Sequence, residues 1–404
     1  MNMIKNKAVR NALFIGVLTS FSYLICYFAR NILSVMSPQI VETTNFTVEN
    51  IGTLSTANML SYAVGQLVNG VLGDKIKGKY LISGGLIFSG ICNFVMGVAE
   101  SFLVIIIAYS FVGFFLSMLY APLTKLIAEN THPTHAIRCC LGLSFASLFG
   151  TPVAGIVAFF FDWKQAFIFC GGVLVFVGIL FYSSVVAFER KGIVKYKVVE
   201  SATKQKGSIK VLLDHEIIKY SFVSILTGIV RTSVVFWVPT YLSQYLGFST
   251  GVAATIFTIM TCVQSASPYI NNFLIFECIL KRDMNKTVLF SFVFSTIGFI
   301  LMFAIRNPFA NIVLLLVALT MANGAANVLW SIYCPSLHET GMVSSATGFL
   351  DFLSYMAAAA ANILFANAIS QIGWGNLILV WAGLMFVGII IALPNKFIKS
   401  LLKR

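Results

Sequence analysis

Charge is what this sequence has least of. Only 10% of its 404 residues are Asp, Glu, Lys or Arg, where a water-soluble surface takes about 25%. Such a chain cannot cover a globule in water. Histidine occurs four times, at 132, 135, 215 and 338, each time in a loop between apolar runs. No apolar run therefore holds a His/Asp, Ser/His or metal-ligand cluster. An enzyme is not expected, and neither a metal nor a cofactor is implied. The eight cysteines show no C-x-x-C spacing and no extracellular pairing pattern, so they read as small apolar residues. The alternating polar strands of a β-barrel are missing too. The net charge of +13 does not indicate nucleic acid, because basic residues of membrane proteins collect in the loops on one side.

What is present is apolar length. Hydrophobic residues make up 58% of the chain, and runs of about 20 of them match a hydrocarbon core of roughly 30 Å. Backbone polar groups must be satisfied within lipid, so the spans are helices. Twelve are expected: 12–40, 50–72, 80–99, 101–128, 138–161, 163–188, 216–246, 250–276, 286–305, 309–333, 343–370 and 374–394. The first is long and lacks a small-residue cleavage site, which predicts a retained span rather than a signal peptide. The one long polar stretch, 189–215, reads as a solvated linker. The expected fold is an all-α membrane protein of two pseudo-symmetric six-helix bundles, 1–188 and 216–404, joined by 189–215.

Of the 27 basic residues, 23 fall in the N-terminal tail, the 2–3, 4–5 and 8–9 loops, the linker and the C-terminal tail. The positive-inside rule then places both termini in the cytoplasm. Lys164 and Arg306 fall on the other side, and Arg30 and Arg231 lie inside spans. Compact loops and a bare N-terminus favour a bacterial inner membrane, and a monomer is expected.

Arg30 and Arg231 are 201 residues apart, and so are Pro38 and Pro239. Transporters are often built from such repeats, with substrate held near the midplane. An arginine at mid-bilayer depth costs about 3 kcal/mol or more unless it is compensated. It can snorkel, pair with a carboxylate, or line an anion site. Arg231 lies about 15 residues into its span, roughly 22 Å of helix, too deep to snorkel easily. Only Asp351 sits well inside a span, and one carboxylate cannot neutralise two arginines. An anion site is the favoured reading. The guanidinium fork donates two parallel bonds to phosphate or carboxylate.

Gly70-Val71-Leu72-Gly73-Asp74-Lys75-Ile76-Lys77-Gly78-Lys79 resembles the loop signature of the major facilitator superfamily, with the later Gly and Lys exchanged. Asp74, with Lys75, is a candidate gate, because an acid beside basic neighbours at a helix end can latch one state. The segment from Arg231 through Trp237, Pro239, Thr240, Tyr241 and Leu242 resembles R-x5-W-x-P-T-Y-L of the organophosphate:phosphate antiporters. Tyr27-Phe28-Ala29-Arg30 with Pro38 looks like their first-helix Y-x-x-R segment. Tyr120-Ala121-Pro122-Leu123-Thr124-Lys125 is similar to their fourth-helix stretch. The resemblance implies exchange of inorganic phosphate for an organic phosphate, with Arg30 and Arg231 on the phosphoryl group. Tyr62 aligns with a family tyrosine near the cavity. Gln66 stands where glycerol-phosphate carriers have lysine, and Ser147 where they have histidine. The expected substrate residues are therefore Arg30, Arg231, Tyr27, Tyr62 and Gln66. Asp351 is a further candidate, as a proton or ion-pair site. Partners are a small anion (phosphate, a phosphate ester or a sugar acid) and the bilayer, and no nucleic acid.

Two other functions fit less of this. A proton-coupled carrier of sugar acids would use Asp351 as acceptor. A transport-dead sensor of an external phosphate compound would use the linker as a partner surface.

Overall fold

A computed structural model describes residues 2–46, 48–196, 213, 215–305 and 307–393. They form twelve helical stretches: α1 Asn2–Thr43, α2 Val48–Lys75, α3 Gly78–Val98, α4 Phe102–Asn130, α5 Pro133–Phe160, α6 Trp163–Arg190, α7 Ile217–Gln244, α8 250–279, α9 Met284–Ala304, α10 Pro308–Glu339, α11 343–372 and α12 374–392. Nine of the twelve, among the described residues, are long and apolar enough to cross a membrane by composition alone. The other three are α2, α8 and α11. α2 carries Asn58, Gln66 and Asn69 along its buried side. α8 is interrupted by a turn at Ser265 and Ala266, just before Pro268.

The helix starts follow local chemistry. Proline opens α5 and α10, where the missing N–H costs no intrahelical bond. Asp162 accepts from the Gln165 backbone N–H at 2.8 Å, and the Gln165 side chain returns a bond, forming a capping box for α6. Asp283 caps α9 by accepting the Lys286 N–H at 3.0 Å, and this bond holds its carboxyl below the ordinary carboxylate range. α11 and α12 form one run broken at Gly373, whose φ of 74° no β-branched residue adopts cheaply.

The chain divides into two compact units. One comprises Met1–His215 with Cys334–Phe352, the other Glu216–Tyr333 with Leu353–Arg404. Residues 334–352 thus group with the first unit, apart from their neighbours in the chain. The linker differs from expectation at its start. Val194 is buried, Tyr196 Oη accepts the Lys79 N–H at 3.0 Å, and the Lys195 N–H reaches Asn130 Oδ1 at 2.6 Å. Lys79, expected as a loop charge, is buried and pairs with Glu189 at 2.6 Å. Residues 197–212 of the linker lie outside the described set.

Each unit pairs its helices in the same pattern. In the first, α1 packs on α5, α2 on α4 and α3 on α6. In the second, Ser233 Oγ of α7 donates to the Ala358 carbonyl of α11 at 2.6 Å, and Asn271 Nδ2 of α8 donates to the Thr320 carbonyl of α10 at 3.0 Å. Gly388 of α12 sits against the Phe292 ring of α9. The Asn271 bond has a counterpart in Asn69 Nδ2 donating to the Phe114 carbonyl at 3.3 Å. Buried amide-to-carbonyl bonds replace a hydrophobic driving force that lipid does not supply between helices.

Candidate functional site

In the first unit, Tyr23, Tyr27 and Arg30 recur at helical spacing along one side of α1. The Arg30 guanidinium stands 4.2 Å from the Tyr62 ring centroid and 5.0 Å from that of Tyr27. Cation–π contacts of this kind are worth about 0.5–2 kcal/mol, more when desolvated. They hold the guanidinium group in place between the two rings. Tyr23 extends the cluster, with its ring 5.1 Å from Tyr27 and 5.4 Å from Tyr120 of α4. Tyr109 Oη, also from α4, reaches the Arg30 carbonyl at 3.5 Å. Three helices thus hold Arg30 among tyrosines. Tyr27, Tyr62 and Arg30 were expected to meet. Tyr23 and Tyr109 were not foreseen, and Tyr120 was noted only within a motif. Their signal was a tyrosine one turn before Tyr27 and two more on the fourth span.

Gln66 lies one turn beyond Tyr62 on α2 and is fully buried. Neither its Oε1 nor its Nε2 has a hydrogen-bond partner among the described residues. Leaving such a group unsatisfied costs about 1–3 kcal/mol. Ser147, the other departure from the family pattern, back-bonds to the Ser144 carbonyl at 2.6 Å within α5.

The position of α1 beside α5 depends on Gly150. A Cβ there would stand 2.6 Å from the Tyr27 carbonyl carbon and 2.9 Å from the Phe28 nitrogen. Gly150→Val is expected to displace α1 at Tyr27, lower stability by about 1–3 kcal/mol and weaken substrate affinity. Thermal unfolding with and without substrate measures both. Unchanged stability would mean that α1 gives way freely.

Arg231 is placed differently. It sits in a π-helical turn, Ile229–Val234, in the middle of α7. Pro239 follows within the helix and cannot donate to the preceding turn. Such π turns often lie at functional sites. Two contacts to α11 flank it: Ser233 on Ala358, and Gly228, where a Cβ would stand 2.7 Å from the Ser354 carbonyl. The Arg231 side chain is exposed. The downstream motif residues are structural. Tyr241 is buried, donates to Asn311 Oδ1 at 3.0 Å and packs against Trp374 and Trp381.

The gate candidates resolve into a defined contact. Asp74 Oδ1 accepts the Ser344 N–H at 3.0 Å and Oδ2 the Ser345 N–H at 2.7 Å, in the opening turn of α11. These are N–H groups with no intrahelical partner, and the helix dipole favours a carboxylate there. The cation beside Asp74 is Lys125 of α4, at 3.5 Å, and its Nζ also donates to the Gly73 and Asp74 carbonyls at 3.0 and 3.1 Å. Lys75 is exposed. Lys125, counted as a topology charge in the sequence, instead caps the end of α2. α2 and α11 cross at glycine. A Cβ on Gly70 would stand 3.0 Å from the Gly348 Cα and 2.9 Å from the Ser344 carbonyl. Asp351, 9% exposed, lies one turn further along α11.

Nine long apolar helices, among the described residues, with an arginine held among tyrosines are the features of a multi-pass membrane protein. Residues 19–362 match the family model of the Major Facilitator Superfamily, and the chain belongs to that family. It is similar to the membrane sensor protein UhpC of Escherichia coli, 23% identical over 59% of this chain and 58% of the relative. A probable hexose phosphate transport protein of Chlamydia muridarum is 22% identical over 27% of this chain and 24% of the relative. The hexuronate transporter of Bacillus subtilis is 20% identical over 86% of each. For most of these curated relatives the match spans less than two thirds of the relative's length. Among solved structures, the proton:xylose symporter XylE matches with a TM-score of 0.69 at 13% identity, over 95% of both chains, and shares the fold.

Proposed function

We propose that this protein is an antiporter that exchanges an organic phosphate ester for inorganic phosphate by alternating access, with Arg30 and Arg231 binding the phosphoryl group. The observation that carries the proposal is the Arg30 cluster. Tyr62 and Tyr27 pack against the guanidinium, and the buried Gln66 amide on the neighbouring turn has no hydrogen-bond partner among the described residues. A phosphoryl group offers oxygens to a planar guanidinium fork and an acceptor to the Gln66 amide. The hexose phosphate transport relative supports the substrate class. The protein works as a monomer in the bacterial inner membrane, with both termini cytoplasmic and its helices in two halves of the chain joined through 189–215.

Exchange follows from charge. An arginine without its anion is costly to carry through the membrane interior, and bound substrate lowers that cost. Asp74 acts as the gate: releasing the Ser344 and Ser345 N–H groups frees the start of α11 from α2. Vesicles preloaded with phosphate are expected to take up labelled phosphate or sugar phosphate at least about tenfold faster than empty ones, the barrier difference being more than 1.4 kcal/mol. Equal uptake into empty vesicles would overturn exchange.

A second reading is a proton-coupled carrier of sugar acids, favoured by the hexuronate relative and by the buried Asp351. It requires uptake driven by a pH gradient and lost in Asp351→Asn. Arg30 would then bind a carboxylate by the same fork.

A further inference from the structure

A groove of about 550 Å³ runs between α1 and α5, away from the Arg30 cluster. Its origin is legible in the side chains. Gly16 lies against Cys139, where a Cβ would stand 3.0 Å from Sγ, and Gly142 lies against Ser20. Small residues let the two helices approach along a narrow floor. Large apolar residues then stand on either side: Leu13, Val17 and Phe21 from α1, Phe145 and Phe149 from α5. Leu13 and Val17 are 61% and 60% exposed, so none of the described residues covers the groove wall there.

The two helices run parallel, since the contacts pass in step from Ala12 with Cys139 to Tyr27 with Gly150. Both therefore begin at the same end of the groove, and that end is cationic. Arg138 and His135 line it, and Lys7 and Arg10 stand exposed on the adjoining turns of α1. None of the lining residues is acidic. From Val9 to Leu24 the groove follows 16 residues of α1, roughly 22 Å at ~1.5 Å per residue step. Half a bilayer, headgroups included, is about 20–22 Å deep. The groove thus has the depth of one leaflet, with cations at headgroup level and an apolar trough at acyl-chain level.

We infer that this groove is a binding site for an anionic phospholipid, whose phosphate lies at Arg138 and His135 and whose acyl chain lies along Leu13, Val17, Phe145 and Phe149. A generic lipid contact requires only the apolar wall. A cationic mouth on a bounded trough adds headgroup selection, because each basic residue near the surface favours an anionic lipid over a zwitterionic one. The binding volume falls in the range of small-molecule sites, about 300–1,000 Å³.

The test uses the full-length protein in nanodiscs with a photoactivatable diazirine on the acyl chain of phosphatidylglycerol or phosphatidylcholine. Adducts are mapped by mass spectrometry. Adducts within residues 9–24 and 138–149 are expected to form roughly fivefold more with phosphatidylglycerol, the factor one basic residue supplies. Arg138→Gln is expected to remove that preference. Val17→Trp, which fills the trough and leaves the charges in place, is expected to lower the adducts from both lipids. Equal labelling by both lipids, or a preference unchanged in Arg138→Gln, would overturn the site. So would loss of the adducts on adding glycerol 3-phosphate, which would make the ligand a free phosphate and not a lipid.

Discussion

Replacing Arg231 with alanine is expected to abolish exchange, cutting uptake by roughly 10²–10⁴-fold in vesicles with normal protein content. Each charge-assisted hydrogen bond to an anion is worth about 1.5–3 kcal/mol, and a fork supplies two. Arg231→Lys keeps the charge but loses the paired geometry, so an intermediate loss of about 10–100-fold is expected. Because the Arg231 side chain is exposed, neither change removes packing, and the unfolding temperature is expected to hold. Arg30→Ala is expected to lose as much flux but also to lower stability, because it empties the space against Tyr62 and Tyr27. Retained flux in either alanine variant would remove the arginines from the site.

Asp74→Asn is expected to loosen the start of α11. The carboxylate accepts two backbone N–H groups and faces Lys125. Asparagine keeps the shape but removes the charge, weakening those bonds to about half. The resulting loss of roughly 1–3 kcal/mol corresponds to a roughly 5–150-fold rise in the population with α11 released. Cys334 reports on this directly, since it is buried in the segment 334–352 and reacts only when that segment opens. Its labelling by a membrane-permeant maleimide is expected to accelerate by that factor, read by mass spectrometry against the exposed Cys262 and Cys278 as internal standards. An unchanged rate would show that Asp74 does not hold the helix. Lys75→Gln is expected to leave the rate unchanged, because Lys125 is the cation that Asp74 meets.

Much of the fold was legible because lipid imposes a one-dimensional rule. Span length, the polar stretch 189–215 and the even 201-residue spacing of Arg30 and Arg231 can all be read along the chain without knowing which helices meet. The arginines stood out because a charge inside an apolar run needs a physical reason. What could not be read was which side chains meet across helices. Lys125 counts as one more basic loop residue until α2 ends beside it and its carbonyls need a donor. The π turn at Arg231 has no compositional sign beyond Pro239 downstream. The packing of 334–352 with the first unit, against the order of the chain, follows from a glycine crossing at Gly70 and Gly348 that spacing alone does not announce. α2 fails a hydropathy criterion for the same reason it matters. Its amides Asn58, Gln66 and Asn69 are buried among the helices.

The central claim is that Arg30 serves a phosphoryl group. It is tested most directly by thermal unfolding of the purified protein with inorganic phosphate, glucose 6-phosphate and glucuronate. The account predicts that both phosphate compounds raise the unfolding temperature, that Arg30→Ala and Arg231→Ala lose the rise, and that glucuronate gives little. Stabilisation by glucuronate with none from either phosphate would contradict it.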